Sequence, residues 1–278
     1  MKERRLEEDK QAKIASSSSQ PTGINQPTGI NSSTGINQPT GINSTGINVT
    51  VILPTYNEAS NIIPLINRIH TALEGYSKEI LVVDDNSPDR TWEIAQGITD
   101  KDVCVIRRIE NRGLVKSISC GLERAKGRYV VWMDADQSMP PEVIPKLISE
   151  LSSWDIAAGS RYVKGGKDLR PALRTVTSRM FNLYANLILN FKILDWTTGF
   201  IAARKSVFNT LSLRDSIYGE YCVHFLYQAN QQGFKIKEIP YSFVDRLEGE
   251  SKTAAKLTSL LKFGWIYGKR VLQLRFRR

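Results

Sequence analysis

Two carboxylates one residue apart, Asp134 and Asp136, close an apolar run over 129–133 that reads as a buried strand. Pro140 and Pro141 follow, and they open what the pattern predicts to be a helix. A parallel strand delivers its carboxyl end to the crevice where α/β proteins bind ligands. There the two acids could hold a hard divalent cation that keeps several waters and takes its remaining ligands from a diphosphate. The tripeptide alone also fits a simpler role, with Asp136 capping the helix beside a solvated Asp134. Two more predicted strand ends carry polar groups of this kind. Pro54, Tyr56, Asn57 and Glu58 offer a stiff turn, a flat ring and an acceptor for a base or ribose, or only a turn with Asn and Glu as caps. Asp84 and Asp85 are a poor choice at a strand end unless something pairs with them. A nucleoside's N–H and hydroxyl groups would; a solvated turn is the alternative.

The elements that must position these residues alternate. Strands are predicted over 49–53, 80–83, 103–107, 129–133 and 156–158, with helices over 62–73, 91–98, 114–126 and 142–151 between them. Ser60 is the expected N-cap of the first helix and Gly75 its stop. Such alternation means right-handed βαβ units and a largely parallel sheet, an α/β sandwich with all three acidic loops on one edge. Beyond Gly159, Ser160, Arg161 and Tyr162 the alternation fades. Residues 163–175 read as a long mobile loop, 180–191 as an apolar helix and 234–239 as an edge strand. No Walker loop or Gly-x-Gly-x-x-Gly is present, so phosphates would have to be met by a cation and by Arg161, Arg174, Arg246 and Lys252. Each of these, taken singly, also reads as solvated surface charge.

Net charge is +10, but eight Lys and Arg and no acid lie within 251–278, and the body is near neutral. That placement points to an anionic surface met by the tail, lipid headgroups first. No nucleic-acid-reading signature is present, so nucleic acid is not an expected partner. Cys104, Cys120 and Cys222 have no metal or redox spacing and read as small apolar residues of a reducing compartment. Neither a signal peptide nor the roughly 20-residue apolar run of a membrane span is seen. Residues 1–48, with Thr-Gly-Ile-Asn repeated five times, offer too little apolar surface to fold and form a low-complexity tail with no assigned chemistry. Residues 253–278 form a basic amphipathic helix, which suits either an interfacial helix or one packed on the domain.

Residues 51–58, 82–89, 133–136 and 159–162 together resemble family 2 glycosyltransferases of the GT-A fold. The stretch from Asp195 to Phe200 and the stretch from Arg246 to Lys252 are similar to the dolichol-phosphate mannose synthase branch. The likeness runs from Val49 to about Lys252, which makes 49–252 the expected catalytic domain. It implies a Rossmann-like αβα sandwich and inverting transfer of a hexose, mannose from GDP-mannose in the named enzymes, to a dolichyl or polyprenyl phosphate. Carried over by position, Pro54, Tyr56, Glu58 and Asp85 would hold the nucleoside, with backbone help from Val83 and Ala135. Asp134 and Asp136 would serve Mg²⁺ or Mn²⁺ and the nucleotide, with Ser138 a further metal ligand. Arg161, Arg174, Arg246 and Lys252 would grip donor and acceptor phosphates, with Ser251 beside them at the acceptor. Asp134, Asp136, Arg161 and Arg174 would form the catalytic set.

A phosphate oxygen is already anionic at neutral pH and needs no general base, which suits a chain whose two histidines, His70 and His224, lie outside every motif. His70 is expected on the exposed side of the first helix. Many relatives continue into membrane spans; here the expectation is a peripheral protein at the cytoplasmic membrane face, and the human-type enzyme implies a small membrane-anchoring partner. The alternatives carried forward are a UDP-sugar donor or a saccharide acceptor in the same chemistry, and a non-catalytic sensor of sugar nucleotides.

Overall fold

The protein is described by a computed structural model covering residues 47–213, 216, 219–245 and 257–276, the last helix by backbone only over 257–263. Nearly all of the repeat tail, with Arg246, Ser251 and Lys252, therefore lies outside the described residues.

The strands are β1 (Val49–Thr55), β2 (Lys78–Asp84), β3 (Val103–Arg107), β4 (Tyr129–Trp132), β5 (Ile156–Ser160), β7 (Ile201–Arg204) and β8 (Ile236–Pro240), arranged β3-β2-β1-β4-β7-β5-β8. All run parallel except β7, which pairs antiparallel with both β4 and β5. A short second ladder joins β6 (Lys167–Asp168) to β9 (Ser242–Phe243). From β1 the chain winds outward through β2 and β3, then returns to place β4 on the other side of β1. The order thus reverses between β1 and β4, and at such a switch point the connections diverge and leave a crevice beyond the strand ends.

Helices cover both faces because successive strand residues point to opposite sides. Val51 and Leu53 of β1 join α1 (Ile62–Ala72) and α4 (Ile144–Glu150) in one core; Ile52 joins the other, with α3 (Leu114–Arg124), α5 (Ala172–Leu189), α6 (Tyr221–Gln231) and α7 (Leu257–Phe276). Helix α2 (Thr91–Gln96) packs beside β3. Gly121 lets α3 approach β1 closely, since a Cβ there would sit 2.5 Å from Ile52 Cγ2.

Several boundaries differ from the sequence reading. Helix α1 starts after Asn61 rather than Ser60, and no side chain caps it. It ends at Ala72, ahead of Gly75, whose φ of 77° belongs to the turn beyond. Half-buried His70 lies 3.3 Å from Asp100. The loop expected over 163–175 is ordered at its middle by the β6–β9 ladder and at its end by α5 starting at Ala172. That ladder joins residues some 75 apart, and local composition carries no trace of it. The edge strand is found, as β8. Helix α6 escapes the helical period because Tyr221, Cys222, Val223, His224, Phe225 and Leu226 are all buried, leaving no polar face to mark it.

Candidate functional site at the strand switch point

Three turns at the carboxyl edge each contain a non-glycine residue in the left-handed region: Asn57 after β1, Asn86 after β2 and Gln137 after β4. Such residues reverse a strand sharply, and asparagine tolerates the geometry best. Gln137, the costlier choice, is tied by its side chain to Asn61 at 3.2 Å and to Arg68 at 3.4 Å. These turns lead into a cleft of about 690 Å³ whose charged lining consists of Glu58, Asp85, Asp134, Arg112, Arg161 and Arg170.

One wall is acidic and comes from β1, β2 and β4. Pro54, Thr55, Tyr56, Glu58, Asp85, Asp134 and Ala135 all line it. Asp84 turns away: its carboxylate accepts from Thr55 Oγ1 at 2.8 Å and from the Ser87 backbone N–H and hydroxyl at 2.8 and 2.6 Å. Asp85 accepts from Arg108 Nη1 and Ser117 Oγ, each at 2.8 Å, and from the Gly113 N–H at 2.5 Å. Gly113 reaches it with φ +134°, a conformation that favours glycine. The adjacent acids thus find partners within the protein, where the sequence had offered a nucleoside or a solvated turn. Asp136 is 4% exposed and accepts from the Ser138 N–H at 3.1 Å and hydroxyl at 2.5 Å. Val83, Asp136 and Ser138 are not among the lining residues.

The other wall is cationic and aromatic. Arg161, just past β5, is buried and donates to Asp195 from its backbone N–H at 3.0 Å, from Nε at 2.7 Å and from Nη2 at 2.6 Å. Burial works against its charge, but the Asp195 carboxylate more than offsets this and raises the guanidinium further above its ordinary value. Its CZ also lies 5.1 Å from the Tyr162 ring centroid and 5.4 Å from that of Phe243. Arg170 grips Asp168 with two bonds, at 2.8 and 2.6 Å. Although burial alone would raise Asp168, the bonds from Arg170 and Tyr162 and the nearby guanidinium charges hold it well below the usual carboxylate range. Tyr221, Tyr241, Phe243 and Tyr267 complete the wall. Burial raises the Tyr221, Tyr241 and Tyr267 phenols and the Cys222 thiol, so all four stay protonated at neutral pH. Cys222 in this state offers no thiolate nucleophile.

Arg174, expected in a mobile loop over the phosphates, instead lies in the first turn of α5, 3.4 Å from Asp245, and is not among the lining residues. Arg170 stands at the cleft in its place. Sequence reasoning also missed Arg108, Arg112 and Gly113; the Asn111-Arg112-Gly113 turn after β3, on the same sheet edge as the others, was the available signal. Neither His70 nor His224 lines the cleft.

Acids and arginines sharing the lining of a switch-point cleft make this a doubly wound α/β protein suited to an anionic nucleotide. Residues 50–212 match the model of glycosyl transferase family 2, and the chain belongs to that family. It is 43% identical over 215 residues to a dolichol-phosphate mannosyltransferase of Pyrococcus furiosus, covering 76% of this chain and 60% of that protein's length. It is 36% identical to a polyprenol monophosphomannose synthase of Mycolicibacterium smegmatis, covering 73% of this chain and 79% of the relative. Among solved structures, glucosyl-3-phosphoglycerate synthase from Mycobacterium tuberculosis, determined with Mn²⁺, UDP and glucosyl-3-phosphoglycerate, superposes with a TM-score of 0.64 at 18% identity. That superposition covers 83% of this chain and 81% of the other, and it establishes the shared GT-A sandwich.

Proposed function

We propose that the protein transfers a hexose, mannose from GDP-mannose, to a dolichyl or polyprenyl phosphate with inversion at the anomeric carbon. The observation carrying this reading is that one cleft is lined both by Glu58, Asp85 and Asp134 from the parallel-strand ends and by Arg112, Arg161 and Arg170. Two phosphate-bearing substrates need compensating charge on both sides of the reacting carbon. The relatives named as mannosyltransferases of polyprenyl phosphates support the substrate class.

Asp134 and Asp136 suit a hard divalent cation, Mg²⁺ or Mn²⁺, with Ser138 beside them. Among the described residues no three His, Cys, Asp or Glu side chains gather as a ligand set. An ion here would therefore take most of its ligands from water and the diphosphate, as Mg²⁺ commonly does. When bound, it supplies charge stabilisation to the departing diphosphate. Pro54, Tyr56, Glu58 and Asp85, which all line the cleft, would hold the nucleoside. The acceptor phosphate is its own nucleophile, so the wall of protonated phenols and the absence of histidine from the lining are no obstacle. Arg246, Ser251 and Lys252 belong to this proposal by position in the sequence alone. A lipid acceptor and an acid-free carboxyl-terminal segment favour action at a membrane surface.

Turnover of labelled GDP-mannose against UDP-glucose, with a short soluble polyprenyl phosphate and Mg²⁺ or Mn²⁺, tests the reading. The expected product is an inverted mannosyl phospholipid formed only with GDP-mannose and cation. Preferential use of UDP-glucose, or of a saccharide acceptor, would replace it with the sister reading in the same family.

A further inference from the structure

A hydrogen-bond chain of fixed direction joins the turn after β4 to the turn after β1. Arg68 Nη1 donates to Gln137 Oε1 at 3.4 Å, Gln137 Nε2 to Asn61 Oδ1 at 3.2 Å, and Asn61 Nδ2 to Glu58 Oε2 at 2.9 Å. A guanidinium only donates and a carboxylate only accepts, so the two ends fix which way each amide between them points. The arginine at the start is itself pinned by Glu142, which accepts from its Nε and Nη2 at 2.9 Å each.

Two of the links set aside a local preference to take part. Asn61 occupies the N-cap of α1, where an asparagine side chain ordinarily accepts from the first N–H groups of the helix, yet it makes no capping bond. It is buried, and both ends of its amide are committed to Glu58 and Gln137. Gln137 holds a φ of 61°, in the region where glycine is the ordinary choice. What these two departures produce is a bond between residues 76 positions apart.

The chain ends where the two halves of a nucleotide would be met. Gln137 directly follows Asp136, so its placement is that of the turn bearing Asp134 and Asp136. Glu58 is buried and lines the cleft. Under the reading proposed above, the first turn would serve the diphosphate and its cation, and Glu58 the nucleoside. We propose that Asn61 and Gln137 are positioning residues through which the turn carrying Asp134 and Asp136 orients Glu58 toward the nucleoside. A nucleoside diphosphate then draws on both turns as one unit, whereas a bare diphosphate draws on the first alone. The inference rests on the nucleotide-binding reading of the cleft and is independent of which sugar or lipid is used.

The test is calorimetric titration of the full chain with GDP, UDP and inorganic pyrophosphate, all with Mg²⁺, for the wild type, Gln137→Leu, Gln137→Gly and Asn61→Ala. Leucine keeps the bulk and breaks the chain; glycine breaks it while suiting the left-handed turn. The affinity advantage of the preferred nucleotide over pyrophosphate should fall about fivefold in each variant, the low end for coupling between two sites. Pyrophosphate should bind all four proteins alike, which also shows that the variants fold. Asn61→Ala combined with Gln137→Leu should lose no more than either alone, as expected of residues in one chain. Wild-type nucleotide binding in Gln137→Gly overturns the proposal, because the side chain would then serve only to hold the turn. Equal weakening of pyrophosphate and nucleotide overturns it as well, and so do additive losses in the double variant. Unchanged nucleotide affinity in every variant sinks the chain and leaves the proposed reaction standing. Failure of the wild type to bind either nucleotide sinks both.

Discussion

The two walls of the cleft are built on different principles. On the acidic side Asp84 and Asp136 are held by their own turns, through Ser87 and Ser138 two or three residues away, while Asp85 draws on Arg108, Gly113 and Ser117 just beyond β3. On the cationic wall the decisive pair, Arg161 with Asp195, spans 34 residues and joins the end of β5 to the loop before β7. The first wall is assembled from turns on neighbouring parallel strands and the loop after β3. The second exists only once the antiparallel strand and its flanking helices are in place. The acidic wall should therefore lose function when altered without losing the fold, and the cationic wall should lose both.

The largest effect is expected at Asp195. Asp195→Ala strands a buried guanidinium, which costs about 3–5 kcal/mol where a buried pair loses one partner. Denaturant unfolding should show that loss together with lost turnover; an unchanged midpoint would mean Arg161 is not held as described. Next is Asp136→Ala, which should lower turnover by about 10²–10³-fold, the size typical of losing one stabilising group for transition-state charge. Its unfolding midpoint should shift by only about 1 kcal/mol, for the bonds to Ser138. Equal activity in this variant would remove the metal from the proposal, and a collapse in stability would erase the contrast between the walls.

The smallest effect sharpens the cationic side. Asp168 is depressed in the folded state, so its contribution is fully present above the ordinary aspartate value near 3.9 and is lost as pH falls below it. Unfolding midpoints between pH 7 and pH 3 should fall in the wild type and flatten over that acid range in Asp168→Asn. Identical slopes would show that Arg170 and Tyr162 do not hold the carboxylate charged.

Legibility followed the same line. The alternation of strands and helices up to β5 could be read because each element carries its own period, and the order of the parallel strands then forces Glu58, Asp85 and Asp134 onto one edge. The partners of Asp85 could not be read in this way: Arg108, Gly113 and Ser117 belong to the loop after β3 and the helix beyond it. Arg174 failed for a related reason. It was placed by analogy through a variable loop, whereas Pro171 and the β6–β9 ladder start α5 early and carry that side chain to Asp245. The apolar residues of α5 were visible as composition, but the exposure of Leu173, Met180, Leu183 and Leu187 was not, because a period reports one face and not which face is covered.

What the chain determined unaided was which residues lie at the carboxyl ends of its parallel strands, because local hydrophobic period and turn chemistry act over a few residues. Only the folded molecule decided which arginines reach the cleft, which acids are already paired within the protein, and which helix is left with leucines in water. Those outcomes depend on contacts between residues tens of positions apart, and no local free-energy preference encodes them.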